Sequence, residues 1–235
     1  MLTLGIDSSA AAASAAIVED GKLLGEYYVN TKQTHSQTLL PMVQGLLKTV
    51  GYTCRDLDVV AVSHGPGSFT GVRIGVACVK GIAFSSEVPC VGVSTLEAIA
   101  WGGIACEGAV LCAVMDARCG QVYNGMFQVQ NGTLQRLTED RALSIEALEQ
   151  EVREYRERLV LLGDGAALCH RTFQAWGARL APDPVRFQRA SSVALLGEAA
   201  AKAGKTVTPG ELGPVYLRLP QAERELKARL AKGKA

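Results

Sequence analysis

Two aspartates close similar apolar runs. Leu4-Gly5-Ile6 leads into Asp7, and Val110-Leu111-Cys112-Ala113-Val114-Met115 leads into Asp116. Two carboxylates brought together can hold a divalent cation with help from phosphate oxygens. Ser8-Ser9-Ala10 after Asp7 could add hydroxyls and free amides for such a phosphate, whereas Ala117-Arg118-Cys119 after Asp116 suits it less. Asp7, Ser8 and Asp116 are therefore candidates for a nucleotide cleft, with Gly163-Asp164-Gly165 a weaker addition. The plainer reading, which the sequence favours, is that each aspartate caps a turn at a strand end.

The run Gly65-Pro-Gly-Ser-Phe-Thr-Gly-Val-Arg-Ile-Gly75 is the other place where chemistry could sit. A phosphate loop would need a lysine after its last glycine, and Gly67 is followed by Ser68. A dinucleotide loop would need a third glycine where Thr70 stands. Ser68 instead suits the N-cap of a helix that starts at Phe69. Gly67, Gly71, Gly75 and Cys78 then share a helix face. Glycine inside a helix costs about 1 kcal/mol against alanine. This glycine line implies the close approach of another helix, from this chain or from a partner. Arg73 points away from that face.

Metal and thiol chemistry find less support. The three histidines, His35, His64 and His170, are far apart in sequence, so His35 and His64 are expected to make ordinary polar contacts. The seven cysteines are scattered with no Cys-x-x-Cys pair, which predicts reduced thiols and no structural zinc. A net charge of +1 gives no bulk attraction for nucleic acid, and 48% hydrophobic residues supply an ample core. No apolar stretch of membrane-spanning length and no signal-like start is read, so a cytoplasmic protein without membrane contact is expected.

The elements that must position these groups follow a repeated plan. Strands are read at 2–7, 11–18 and 22–29, a helix at 35–50, a strand at 57–63, a helix from Phe69, a strand at 88–93 and a helix at 95–101. From Gly108 the pattern starts again, with strands at 110–116, 121–127 and 133–137, a helix at 144–156, a strand at 159–165 and two helical stretches. Two β-β-β-α units, each opening on strand–Asp, predict an α/β fold of two tandem RNase H-like domains. That is the plan of the actin, Hsp70 and sugar-kinase superfamily. Expected boundaries are 1–107 for the first domain, 108–220 for the second and 221–235 for a charged, mostly basic tail.

Ile6-Asp7-Ser8-Ser9, His35-Ser36-Gln37-Thr38-Leu39-Leu40-Pro41, the Gly65–Gly75 run, Met115-Asp116-Ala117-Arg118 and Pro214-Val215-Tyr216-Leu217-Arg218 together resemble the TsaB (YeaZ) family. The resemblance implies a required, non-catalytic subunit of the machinery that places threonylcarbamoyl on N6 of the adenosine beside the tRNA anticodon. It implies a TsaD-like catalytic subunit and a TsaE-like ATPase as partners, with tRNA reached only through the complex. It implies no tightly bound cofactor, although a nucleotide could be shared at a composite site. TsaD-like proteins carry His-x-x-x-His on a helix that binds metal; here His35 is followed at that spacing by Leu39, and one histidine does not make the pair. The expected partner-binding residues are Leu39, Met42, Val43 and Leu46 on one helix and Gly71, Val72, Gly75 and Cys78 on the next. Without a partner, this surface is expected to pair with itself. The alternative is an enzyme of the same fold, an ATP-binding phosphotransferase or a metallopeptidase.

Overall fold

A computed structural model describes residues 1–31 and 33–218; the charged tail at 221–235 lies outside the described residues. Alternation builds the first sheet. In β1 (Leu2–Asp7), Leu2, Leu4 and Ile6 all join the cluster that packs under two helices. β1 pairs antiparallel with β2 (Ala13–Glu19), and β2 with β3 (Lys22–Val29). The Asp20-Gly21 turn between β2 and β3 has positive φ at both residues, as an Asp-Gly hairpin requires. α1 (His35–Val50) follows, then β4 (Val59–Gly65), α2 (Phe69–Ser86), β5 (Cys90–Ser94) and α3 (Thr95–Trp101). β1 pairs in parallel with β4, and β4 with β5, giving the order β3-β2-β1-β4-β5. α1 and α2 lie side by side on the face that Leu4 and Ile6 line.

The second sheet repeats this plan. It contains β6 (Val110–Asp116), β7 (Gln121–Gln130), β8 (Thr133–Arg136), β9 (Arg141–Ser144), β10 (Leu159–Leu162) and β11 (Arg179–Leu180), with α4 (Ile145–Val152) and α5 (Ala166–Phe173) among them. Its path β8-β7-β6-β10-β11 matches that of the first sheet strand for strand, with β9 added against β7. In β6, Val110, Cys112 and Val114 meet α4 and α5, while Leu111, Ala113 and Met115 meet Leu96, Ile99 and Ala100 of α3. Two RNase H-like units of one mixed α/β type are therefore present, with α3 packed between the lobes.

Details differ from the sequence expectation for local reasons. β4 runs to Gly65, two residues beyond its predicted end. The helix predicted at 144–156 is α4 plus a 3₁₀ stretch at Arg153–Arg158, broken where Arg156 takes φ 46. The short α6 (Asp183–Arg186) leads to α7 (Ala190–Lys202), which crosses back and lies on β1, β2, β4 and β5. Its approach is close: a Cβ on Gly5 would reach the Ala194 amide nitrogen at 2.6 Å, and one on Gly197 would overlap Ala61. We keep a division near residues 107 and 108 as a proposal for the strands; the helix at 190–202 serves the first sheet.

Candidate functional site

Two surfaces stand out, a cleft between the lobes and a groove along the first lobe's helices. The cleft, about 500 Å³, is lined by Ser9 to Ala11, Gly67 to Thr70, Met115 to Arg118, Tyr123, Asp164, Tyr216 and Arg218. Asp116 and Asp164 meet there: the Asp116 amide donates to Asp164 Oδ1 at 3.2 Å, and Asp116 Oδ1 accepts from the Arg118 amide at 2.7 Å. Desolvation pushes the Asp164 carboxyl up to about 6, and the neighbouring Asp116 charge adds to this. Asp164 is nevertheless exposed, so water screens much of this shift.

Asp7, predicted as the cleft's other carboxylate, is fully buried. It accepts from the Ser9 amide at 3.0 Å, from the Ser9 hydroxyl at 2.9 Å and from the Ser63 hydroxyl. Burial raises its carboxyl above the usual range, while these donors pull it the other way. The turn-capping reading fits this geometry, and Asp7 does not line the cleft that Asp116 lines. Ser8 is buried too, its hydroxyl donating to the Gly71 carbonyl at 2.9 Å.

The glycine line corrects the expectation built on it. Ser68 caps α2, accepting from the Gly71 amide, as predicted. The face that Gly67, Gly71 and Gly75 present meets the turn after β1. A Cβ on Gly67 or Gly71 would collide with the carbonyl oxygens of Ser9 and Ser8, and one on Gly75 would lie 2.6 Å from Ser8 Oγ. The Ser68 amide donates to the Ser9 carbonyl at 2.7 Å. The missing side chains let α2 seat on its own strand end, so Gly71 and Gly75 face inward. Val72 joins them in the core, as do Leu39, Met42, Val43 and Leu46, because the face of α1 that looks apolar in sequence packs on β2 and β3.

What remains open is the seam between α1 and α2. A groove of about 580 Å³ runs along it, lined by Leu40, Gln44, Cys54, Ile74, Ala77, Cys78 and Gly81, with edges of Leu39 and Val43 at its floor. Leu40 is 46% exposed. Of the predicted contact residues, Leu39, Val43 and Cys78 reach this groove, whereas Met42, Leu46, Gly71, Val72 and Gly75 do not. Leu40, Ile74, Ala77 and Gly81 carry its exposed surface and were missed, although their one-in-three or one-in-four spacing beside the core stripe was a usable signal.

The histidines make structural contacts. His35 Nε2 lies 2.7 Å from the Ala10 carbonyl, to which it donates. Burial lowers the His64 imidazole, whose ring lies against Gly92, where any Cβ would strike it. Among the described residues no group of three or more His, Cys, Asp or Glu is placed to hold a metal ion, and no helix is long and apolar enough to cross a membrane.

Comparison with known proteins fits this architecture. A family model described as TsaD, tRNA N6-adenosine threonylcarbamoyltransferase, matches residues 23–225. The tRNA threonylcarbamoyladenosine biosynthesis protein TsaB of Bacillus subtilis is 33% identical over 95% of this chain and 96% of its own length. The Escherichia coli protein of the same name is 33% identical over 96% and 98%. YeaZ from Pseudomonas aeruginosa superposes with a TM-score of 0.77 at 30% identity, covering 92% of this chain and 99% of that one. The activator of the 2-hydroxyisocaproyl-CoA dehydratase from Clostridium difficile, solved with bound ADPNP, gives a TM-score of 0.51 at 12% identity over 92% of this chain and 99% of that one, a likeness of fold alone. With relatives of this identity along nearly its whole length, the chain belongs to the TsaB (YeaZ) family.

Proposed function

We propose that this chain is a non-catalytic subunit that binds and activates a TsaD-like catalytic subunit for threonylcarbamoyl transfer to N6 of the tRNA adenosine beside the anticodon. The observation that carries the reading is the open apolar groove between α1 and α2, in a chain whose relatives are named for tRNA threonylcarbamoyladenosine biosynthesis. A groove between two parallel ridges of small and branched side chains suits an apolar helix laid along it. Asp7 supports the same reading, since its lone pairs are already engaged by Ser9 and Ser63 inside the chain. A TsaE-like ATPase joins the complex, tRNA meets this subunit only within it, any nucleotide sits at a site shared with partners, and alone the groove pairs with a second copy.

The test is capture of a TsaD-like partner by the Leu40→Asp and Ala77→Arg variants. Both side chains are exposed, so folding should be unchanged to within about 0.5 kcal/mol. Capture should fall at least tenfold, and reconstituted modification of tRNA should fall with it. Wild-type capture by both folded variants would overturn the docking assignment. Titration of the isolated chain with ATP and Mg²⁺ separates this reading from a phosphotransferase, which would bind with micromolar affinity.

A further inference from the structure

The segment that follows Thr208 does more than end the second lobe's sequence. Leu212 is buried in the first lobe's core, in the cluster that also holds Leu57, Val79 and Cys90. From there the chain runs beside α2, where Pro214 and Tyr216 line a shallow pocket with Arg73, Val76 and Lys80. The Val215 amide donates to the His64 carbonyl at 2.7 Å, at the end of β4. The fit is backbone on backbone: a Cβ on Gly65 would overlap the Val215 carbonyl oxygen, and Gly65 holds φ 128, a value that suits glycine. Tyr216 then stacks on Phe69, the first residue of α2, with ring centroids 4.8 Å apart. Finally Arg218 crosses to the second lobe, its Nη1 donating to the Ala117 carbonyl at 2.8 Å.

The receiving turn is itself unusual. Arg118, Cys119 and Gly120, which follow Ala117, all have positive φ, at 66, 54 and 68. Two consecutive non-glycine residues in that region cost energy that surrounding contacts must offset. Tyr216 and Arg218 also line the cleft, so the segment occupies its mouth.

We infer that residues Leu212–Arg218 form a strap that fixes the spacing of the lobes at the cleft mouth, and that release of Arg218 from Ala117 opens it. The strap lies on α2, which also forms one wall of the α1–α2 groove. Opening at the cleft is thereby tied to the first turn of a helix whose later turns carry the exposed groove residues. Whatever enters the cleft must either displace Arg218 or use it.

Amide hydrogen exchange on the full chain tests this. In Arg218→Ala, exchange should rise about tenfold or more at 117–120, at Val215 and in the first turn of α2, while β1 and β6 stay as in wild type. Arg218→Lys, which keeps one donor, should fall between the two. Tyr216→Ala should loosen Val215 and the start of α2 without first loosening 117–120. Unchanged exchange at 117–120 and Val215 in Arg218→Ala would overturn the strap. So would a uniform rise across both sheets, which would make Arg218 an ordinary contributor to global stability.

Discussion

Gly71→Ala should destabilise the chain even though alanine is the better helix former. The new Cβ would lie well under 3.0 Å from the Ser8 carbonyl oxygen, a backbone atom that cannot swing aside as a side chain can. The turn carrying Ser8 is pinned, because the Ser9 carbonyl accepts the Ser68 amide at 2.7 Å and Asp7 holds Ser9 twice. Overpacking of this kind costs about 1–3 kcal/mol. The Ser8 hydroxyl bond to the Gly71 carbonyl, 2.9 Å long, would be stretched, at about 1 kcal/mol more. Helix propensity returns about 1 kcal/mol. The net loss is about 1–3 kcal/mol, or roughly 3–10 °C in Tm for a chain of this size. Gly81 is the control: it lies further along the same helix with nothing within 4 Å of its absent Cβ. Gly81→Ala should therefore gain up to about 1 kcal/mol and raise Tm by about 2–4 °C. Calorimetry and urea titration of both variants decide the matter. If Gly71→Ala is stabilised alongside Gly81→Ala, the close seat of α2 on the β1 turn is wrong, and the glycine face is free for a partner after all.

Further outcomes follow from charged and exposed groups. Asp164 has its folded-state value raised to about 6, so its favourable contribution is present below the ordinary carboxylate range and is lost as pH rises through about 6. Asp164→Asn should therefore gain stability relative to wild type between pH 4 and pH 6.5 and hold a constant advantage above; urea midpoints that run parallel across pH 4 to 8 would contradict it. Arg136 joins the lobes, donating to Glu97 at 2.8 Å and Asp140 at 2.6 Å while its guanidinium lies over Phe127. Arg136→Ala takes the cation from Glu97 and from Asp140, which keeps only the Ser94 hydroxyl, and should cost about 2 kcal/mol, seen as a lower urea midpoint. Phe84 is 82% exposed, and Phe84→Ser should leave Tm within about 2 °C, because no packing is lost.

The apolar runs that end at Asp7 and Asp116, the Asp-Gly hairpin and the Ser68 cap could be read directly, because each depends on residues within a few positions. The doubled strand–Asp plan carried the fold for the same reason. The glycine line was legible as a close approach but not as to its neighbour: spacing gives a helix face, and only tertiary packing says that Ser8 and Ser9 fill it. Leu39, Met42, Val43 and Leu46 likewise mark an apolar stripe, and a stripe of that kind packs on its own sheet before it offers itself to a partner. Asp7 was visible as a strand-end carboxylate, yet one of its donors, Ser63, comes from β4. The strap from Leu212 to Arg218 has no periodicity at all, so nothing in the sequence marks its path. Two helical stretches after the strand at 159–165 were readable, whereas the bounds of α7 and the sheet it would choose were not.

That choice sets an order of events as the chain is made. The first sheet's second face, where Val59, Ala61 and Val91 cluster with Val193 of α7, stays largely bare until α7 has been synthesised. Everything from β6 to β11 is thus inserted between the first lobe and its own lid. The second lobe can close on itself while the ribosome is still working; the first cannot, and must wait with an apolar sheet face exposed. A fragment ending near residue 107 should accordingly come out of cells insoluble, and adding back the 186–204 segment in trans should recover part of it.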